Sequence, residues 1–228
     1  DTKKSYTYIQ MKNIVEQTAS KLSGLGVSSG KCVVVECTQD TDYCIAQQAV
    51  QLLGAVFIPT DKKISETRLF EIMSETDAIL FIGRKRKDLS VLTYSMSEIK
   101  ELPENENFTY SFPKADDRAE LLYTTGTTGK SKGIDLTHKN NIAIAQNISS
   151  GVEMKDGNVE IVPVSLSHSH GLRTMYANFV NGNSVVIVSG VTFLAPFFRM
   201  IEEYKVTAID LVPSAWRNIY NLGADKLA

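Results

Sequence analysis

The chain has 228 residues, 43% of them apolar and 22% charged, with 24 basic against 26 acidic side chains and a formal net charge of −2. That composition excludes fibrous, disordered and disulfide-stapled classes and leaves room for one large α/β domain or two small ones. It also provides no electrostatic footprint for a nucleic-acid backbone or an anionic membrane surface, so any phosphate must be bound locally.

No apolar run approaches the roughly 18 residues of a membrane helix. The longest pieces, such as Val185-Val186-Ile187-Val188, are strand-sized. Cys32, Cys37 and Cys44 have no metal-ligand spacing, and their odd number suits a reducing compartment. They are expected to be core thiols. The opening Asp1-Thr2-Lys3-Lys4-Ser5 has neither signal-peptide nor transit pattern, so a cytoplasmic location is expected. Two sequons, Asn107-Phe108-Thr109 and Asn147-Ile148-Ser149, lack the secretory context that glycosylation needs.

In chain order, Thr7-x-x-Gln10 is a capping box, and Met11, Ile14, Val15, Thr18, Ala19 and Leu22 recur at helical spacing until Gly24 and Gly26. Cys32 to Val35 reads as a strand. A second helix carries Ile45, Ala46, Ala49, Val50 and Leu53 and ends at Gly54, and a strand over Ala55 to Pro59 follows. Ser65 caps a short helix with Leu69, Ile72 and Met73, ahead of a buried strand over Ala78 to Ile82. From Gly83 to about Pro113 the rhythm is lost, and the basic run Arg84-Lys85-Arg86-Lys87 reads as a solvated loop. A junction is placed there, dividing a first segment, 1–113, from a second, 114–228. The second begins with a strand over Ala119 to Thr124, a Gly/Thr loop and a helix near Lys139 to Ser149. It continues with a strand at Val159 to Pro163, a helix after Gly171, a strand at Ser184 to Val188 and a helix from Phe193 to Tyr204. A strand at Val206 to Val212 and a helix from Ser214 complete it, with Trp216 expected in the core beside Ile219 and Tyr220. Strands separated by helix-length segments predict doubly wound, mostly parallel sheets covered on both faces.

The strongest chemical signal is Leu121-Leu122-Tyr123-Thr124-Thr125-Gly126-Thr127-Thr128-Gly129-Lys130-Ser131-Lys132-Gly133. Glycines let backbone N–H groups approach anionic oxygens, the hydroxyls add donors and the lysines neutralise charge, so the composition fits a polyphosphate. Gly129-Lys130-Ser131 imitates the end of a Walker A loop, and Val206 to Asp210 could serve as a Walker B strand. That pattern requires glycine at 124, where this chain has Thr124. The histidines are His138, His168 and His170. His168-x-His170 could ligate a metal, but no cysteine or acidic cluster beside it completes a set, so no metal site is assigned and packing or surface placement stays open, with packing expected for His170. Gly26-Val27-Ser28-Ser29-Gly30 matches the G-x-S-x-G nucleophile pattern, but it leaves a helix and enters a strand, the reverse of that elbow.

The phosphate-loop segment resembles the signature of the adenylate-forming superfamily, the acyl-CoA synthetases, adenylation domains and luciferases: Tyr-Thr-Ser-Gly-Thr-Thr-Gly-x-Pro-Lys-Gly. Thr125 stands for the usual Ser and keeps its hydroxyl, while Ser131 replaces the usual Pro and removes the ring's constraint. Thr137-His138-x-Asn140 is similar to a further family block. So are Gly54-Ala55 to Asp61 with Arg68-Leu69, Leu166-Ser167-His168-Ser169-His170-Gly171-Leu172, and Val206 to Pro213. The likeness covers about residues 5 to 220.

The resemblance implies the N-terminal part of the family's large domain and a two-step ligation: a carboxylic acid attacks ATP to give an acyl-adenylate and pyrophosphate, and coenzyme A then takes the acyl group. It assigns Thr124, Thr125, Gly126, Thr127, Thr128, Gly129, Lys130 and Lys132 to the β- and γ-phosphates, with Mg²⁺ assisting. His168 falls between the acyl pocket and the nucleotide. The 228 residues lack the family's aromatic-Gly-x-Thr-Glu block, its ribose-binding Ser/Thr-Gly-Asp block and its C-terminal lysine, so this stretch alone is expected not to adenylate and to self-associate through exposed apolar area. Mg²⁺ and coenzyme A would then engage parts partly or wholly outside it. An amino-acid adenylation domain and a non-catalytic nucleotide- or pyrophosphate-binding module remain as alternatives.

Overall fold

In the computed structural model, which describes residues 4–87, 89–124, 131–191 and 193–223, Thr7 caps the first helix, α1 (Tyr8–Gly24). The Thr7 hydroxyl accepts from the Gln10 backbone at 3.2 Å and the Gln10 side chain accepts from the Thr7 backbone at 2.8 Å. Two amides that a helix start leaves orphaned are thereby satisfied. The helix ends at Leu25, ahead of Gly26, whose φ of +88° disfavours any side chain.

β1 (Cys32–Glu36), α2 (Thr41–Leu52), β2 (Val56–Thr60), α3 (Glu66–Glu75) and β3 (Leu80–Ile82) follow. Every residue of the three strands is buried, as befits strands covered on both faces. β1 runs between β2 and β3, parallel to both. Leu69, Ile72 and Met73 of α3 share one core with Val34, Ile58 and Phe81. Alternate strand residues point to the opposite face, where Phe57 meets Tyr43 of α2 edge to face, with centroids 5.7 Å apart. The three cysteines are buried and form no disulfide.

The stretch after Gly83 is more ordered than its composition suggests. It holds β4 (Leu92–Tyr94), parallel to β3, and α4 (Met96–Glu101), opened by a second capping box between Ser95 and Glu98. Nor is the basic run simply solvated. Arg84 and Arg86 converge at 2.9 and 2.8 Å on one carboxylate oxygen of Glu36, a residue whose side chain is 1% exposed at the end of β1. Burial pushes the Glu36 carboxyl up, but hydrogen bonds from Arg84 and the charges of both arginines outweigh it and hold the group below its ordinary value.

β5 (Arg118–Tyr123) joins β2 in parallel and β6 (Gly133–Thr137) pairs antiparallel with β5, giving the sheet order β4-β3-β1-β2-β5-β6. The chain forms two compact units, Asp1–Asn140 and Asn141–Ala228, with the division inside α5 (His138–Gly151). β5 and β6 therefore complete the first sheet, whereas the sequence reading starts a second segment at 114.

The second unit contains β7 (Val159–Val162), α6 (Ser169–Val180), β8 (Ser184–Ile187), α7 (Leu194–Glu203), β9 (Ala208–Ile209) and α8 (Pro213–Gly223). Its sheet is parallel, in the order β8-β7-β9. Ile161, Val188, Phe197, Leu211 and Ile219 form its core on the side of α7 and α8. β9 is shorter than the strand read over Val206 to Val212: Lys205, with φ of +50°, turns the chain before it, and Pro213 opens a helix soon after. Trp216, expected in the core, is 45% exposed, whereas Ile219 is 2% exposed. Among the described residues no helix is long and apolar enough to cross a membrane.

Candidate phosphate loop and histidine site

The Gly/Thr loop connects the two strands of a hairpin. β5 ends at Tyr123 and β6 begins at Gly133, and the neck between them is closed from both sides. The Thr124 N–H donates to the Lys132 carbonyl at 2.9 Å, and the Lys132 N–H donates to the Thr124 hydroxyl at 3.2 Å. The Ser131 hydroxyl donates to the Thr124 carbonyl, a bond that proline could not make. Ser131 thus holds the neck by a hydrogen bond where the resembling family uses a ring. Thr125, Gly126, Thr127, Thr128, Gly129 and Lys130, all assigned to phosphates by the resemblance, lie outside the described residues. A Walker A loop passes into a helix whose N-terminus receives the phosphates, whereas this loop passes into a strand.

The base of the hairpin is braced by α3. The Tyr123 hydroxyl donates to Glu75 at 3.0 Å, and the Arg68 guanidinium lies 4.8 Å from the centre of the Tyr123 ring while pairing with Glu71 and Glu75. Burial, then the bond to Glu75, pushes the Tyr123 phenol up to about 12. Lys132 is exposed, and among the described residues no carboxylate pairs with it. An unpaired ammonium at the mouth of a loop rich in hydroxyls and glycines suits anionic oxygens.

Thr137-His138-x-Asn140 turns out to be a helix cap. The Asn140 side-chain oxygen accepts from the Thr137 backbone at 3.0 Å, and the Thr137 hydroxyl accepts from the Asn140 backbone at 3.2 Å, closing the start of α5. His138 is half-buried, and burial lowers its imidazole pKa, with Asp117 opposing.

In the second unit His168 occupies the N-cap of α6, exposed and with no capping bond from its side chain. Gly171 explains the spacing of its block: a Cβ there would lie 2.4 Å from the Ser165 carbonyl oxygen. Only glycine lets the Val164-Ser165 backbone press against α6 and aim the turn that carries His168. The sequence predicts packing for His170, but the side chain is exposed, with Nε2 2.6 Å from Asp210 Oδ2. No group of three His, Cys, Asp or Glu among the described residues is placed to hold a metal ion. Thr124 and Lys132 belong to the first unit and His168 to the second.

A Gly/Thr-rich loop between hairpin strands of a mostly parallel α/β sheet, with His168 at the start of a helix in a second unit, differs from the strand–loop–helix order of the P-loop proteins. The family model of the AMP-binding enzymes matches residues 1–228, and the chain belongs to that family. It is 25% identical over 224 residues to the 2-succinylbenzoate–CoA ligase of Bacillus cereus (strain Q1), covering 96% of this chain and 46% of that protein. It is 24% identical to surfactin synthase subunit 2 of Bacillus subtilis (strain 168), covering 94% of this chain and 6% of that one. Among solved structures, o-succinylbenzoate CoA synthetase from Bacillus subtilis, in complex with its acyl-adenylate intermediate, superposes with a TM-score of 0.89 at 20% identity over 97% of this chain and 59% of that one. The Klebsiella oxytoca NpsA N-terminal subdomain, in complex with 3-hydroxybenzoyl-AMSN, gives 0.86 at 20% identity, over 99% and 58%. The chain thus spans less than half the length of these curated relatives, and its fold is that of the N-terminal domain of adenylate-forming enzymes.

Proposed function

We propose that the chain supplies the phosphate-binding part of a ligase that uses ATP to convert a carboxylic acid into an acyl-adenylate, releasing pyrophosphate, and then transfers the acyl group to coenzyme A. The closed hairpin neck, with exposed Lys132 beside it, carries this reading. In it, Thr124, Thr125, Gly126, Thr127, Thr128 and Gly129 surround the β- and γ-phosphates with donors, and Lys130 and Lys132 neutralise the charge on the departing pyrophosphate. Donors positioned in advance for that charge are how phosphoryl-transfer sites lower their barriers. Mg²⁺, when bound, supplies further neutralisation. His168, free of any capping duty, stands between acid and nucleotide. The carboxylic acid is supported by the ligases that the chain resembles, and a reducing cytoplasm by three buried cysteines that form no disulfide.

A second acceptor merits its own test, because surfactin synthase subunit 2 matches as well as the coenzyme A ligase does. In that version the thiol belongs to a carrier protein, and coenzyme A would not be consumed when acid, ATP and protein are combined.

The central test is calorimetric titration of the chain with pyrophosphate and then with ATP and Mg²⁺. Saturable binding that weakens at least about tenfold, or 1.4 kcal/mol, in Lys132→Ala is the expected result. No saturable binding, or an unchanged constant in the variant, overturns the reading.

A further inference from the structure

A cavity of about 520 Å³ opens within the second unit, between the end of α5, the face of α6 and the edge formed by β7 and β9. That volume suits a small organic ligand rather than a few waters. Ile148, Val152 and Ile209 give it apolar wall, and its lining carries four acidic residues, Glu153, Asp156, Glu160 and Asp210, against one cation, Lys155.

Both carboxylates are held by one stripe of α6. His170, Thr174 and Asn178 are spaced four apart and so share a helix face. Asn178 donates to Glu160 Oε2 at 2.5 Å, while Thr174 donates to Asp210 Oδ2 at 3.0 Å and His170 meets that same oxygen at 2.6 Å. Glu160 sits opposite Ala208 in the β7–β9 register, which puts it and Asp210 on the same side of the sheet. The other oxygen of each group, Oε1 of Glu160 and Oδ1 of Asp210, accepts no hydrogen bond from any described residue. Glu160 as a whole is only 5% exposed, so little bulk water reaches it. Two carboxylates fixed by α6, each with one oxygen left unbonded, in a lining that holds four acidic side chains against one lysine, suit a hydrogen-bond donor of positive charge.

We infer that this cavity receives the far end of the acid and selects one that carries a protonated amine several bonds from its carboxylate. The inference rests on the ligase reading above, in which His168 lies beside the reacting carboxylate. Thr174 is six residues further along α6, about 9 Å at the helical rise, so the amine sits well away from the carbon being activated. An α-amino acid, with only one carbon between the two groups, is too short. The apolar wall accommodates the methylenes or ring between them. Burial, with Asp210 adding to it, raises the Glu160 pKa, and a bound ammonium would restore the charge that burial disfavours.

The test compares 6-aminohexanoate with heptanoate, which differ by an ammonium for a methyl, in calorimetric titrations of the chain. The amino acid is expected to bind at least tenfold more tightly, and Asp210→Asn and Glu160→Gln are each expected to remove most of that preference while leaving heptanoate affinity unchanged. Gln keeps the acceptor for Asn178, and Asp210 is partly exposed, so one variant serves if the other fails to fold. Equal or reversed preference, no binding of either acid, or a preference that survives both substitutions overturns the inference. Pyrophosphate titrated into the same samples separates the two levels. Pyrophosphate binding without amine preference sinks only the substrate class; amine preference without pyrophosphate binding sinks the ligase reading and, with it, the assignment of the amine to an acid substrate.

Discussion

Glu160 is a carboxylate kept where stability would not choose it. Burial pushes its pKa up, and the bond from Asn178 offsets this only in part. The folded state therefore holds the proton more tightly than the unfolded chain does. No penalty exists below the unfolded pKa, and one develops as the pH rises through the folded value. Glu160→Gln is accordingly expected to raise the urea midpoint of the second unit at pH 7 and to leave it unchanged at pH 3, read by fluorescence of Trp216, the chain's single tryptophan. A midpoint that falls at pH 7 would mean that the charged form is stabilised by the fold. Gly171 makes the opposite kind of demand. Its missing side chain is a packing requirement, since a Cβ would meet the Ser165 carbonyl oxygen at 2.4 Å, backbone that cannot rotate aside. Gly171→Ala should cost about 1–3 kcal/mol, measurable as a lowered urea midpoint of the second unit.

At the scale of elements, the hairpin neck depends on a side chain that resemblance alone would class as a loss. Ser131 has no ring, yet its hydroxyl holds the Thr124 carbonyl. Ser131→Ala is expected to weaken pyrophosphate binding by about two- to tenfold, the worth of one ordinary hydrogen bond, without altering the melting temperature; an unchanged affinity would show that the two amide bonds suffice. Which elements were legible in the sequence follows from their length and burial. α1, α2 and α3 carry three or more turns of periodic apolar residues or clear caps, and β1, β2 and β3 are continuous apolar runs, so pattern reached them. β4 and β6 are short edge strands with exposed residues, and nothing in their composition separates them from loop. α4 did leave a signal, Ser95-x-x-Glu98, which the surrounding charge obscured. For the candidate site, the Gly/Thr loop and His168 stand out as local motifs. The pairing of Glu36 with Arg84 and Arg86 and the approach of Asp210 to Thr174 span dozens of residues, and only the fold brings them together.

For the whole molecule, two separate cores imply two separate stabilities. The first unit is built on a six-stranded sheet and the second on three strands, and each has its own apolar cluster. Urea unfolding followed by Trp216 fluorescence, which reports only the second unit, is expected to precede the loss of far-UV circular dichroism, to which both contribute. Coincident transitions would instead show that the units unfold as one. A last consequence comes from joining the phosphate loop to strands at both ends. Aligned helix peptides give an anion site a standing partial charge, and a hairpin has almost none. The chain as a whole, at −2, adds no pull from a distance. On the proposed reading, a phosphate would reach this loop by unaided diffusion and be recognised only on contact, so added salt should act mainly by hastening its departure rather than by slowing its arrival.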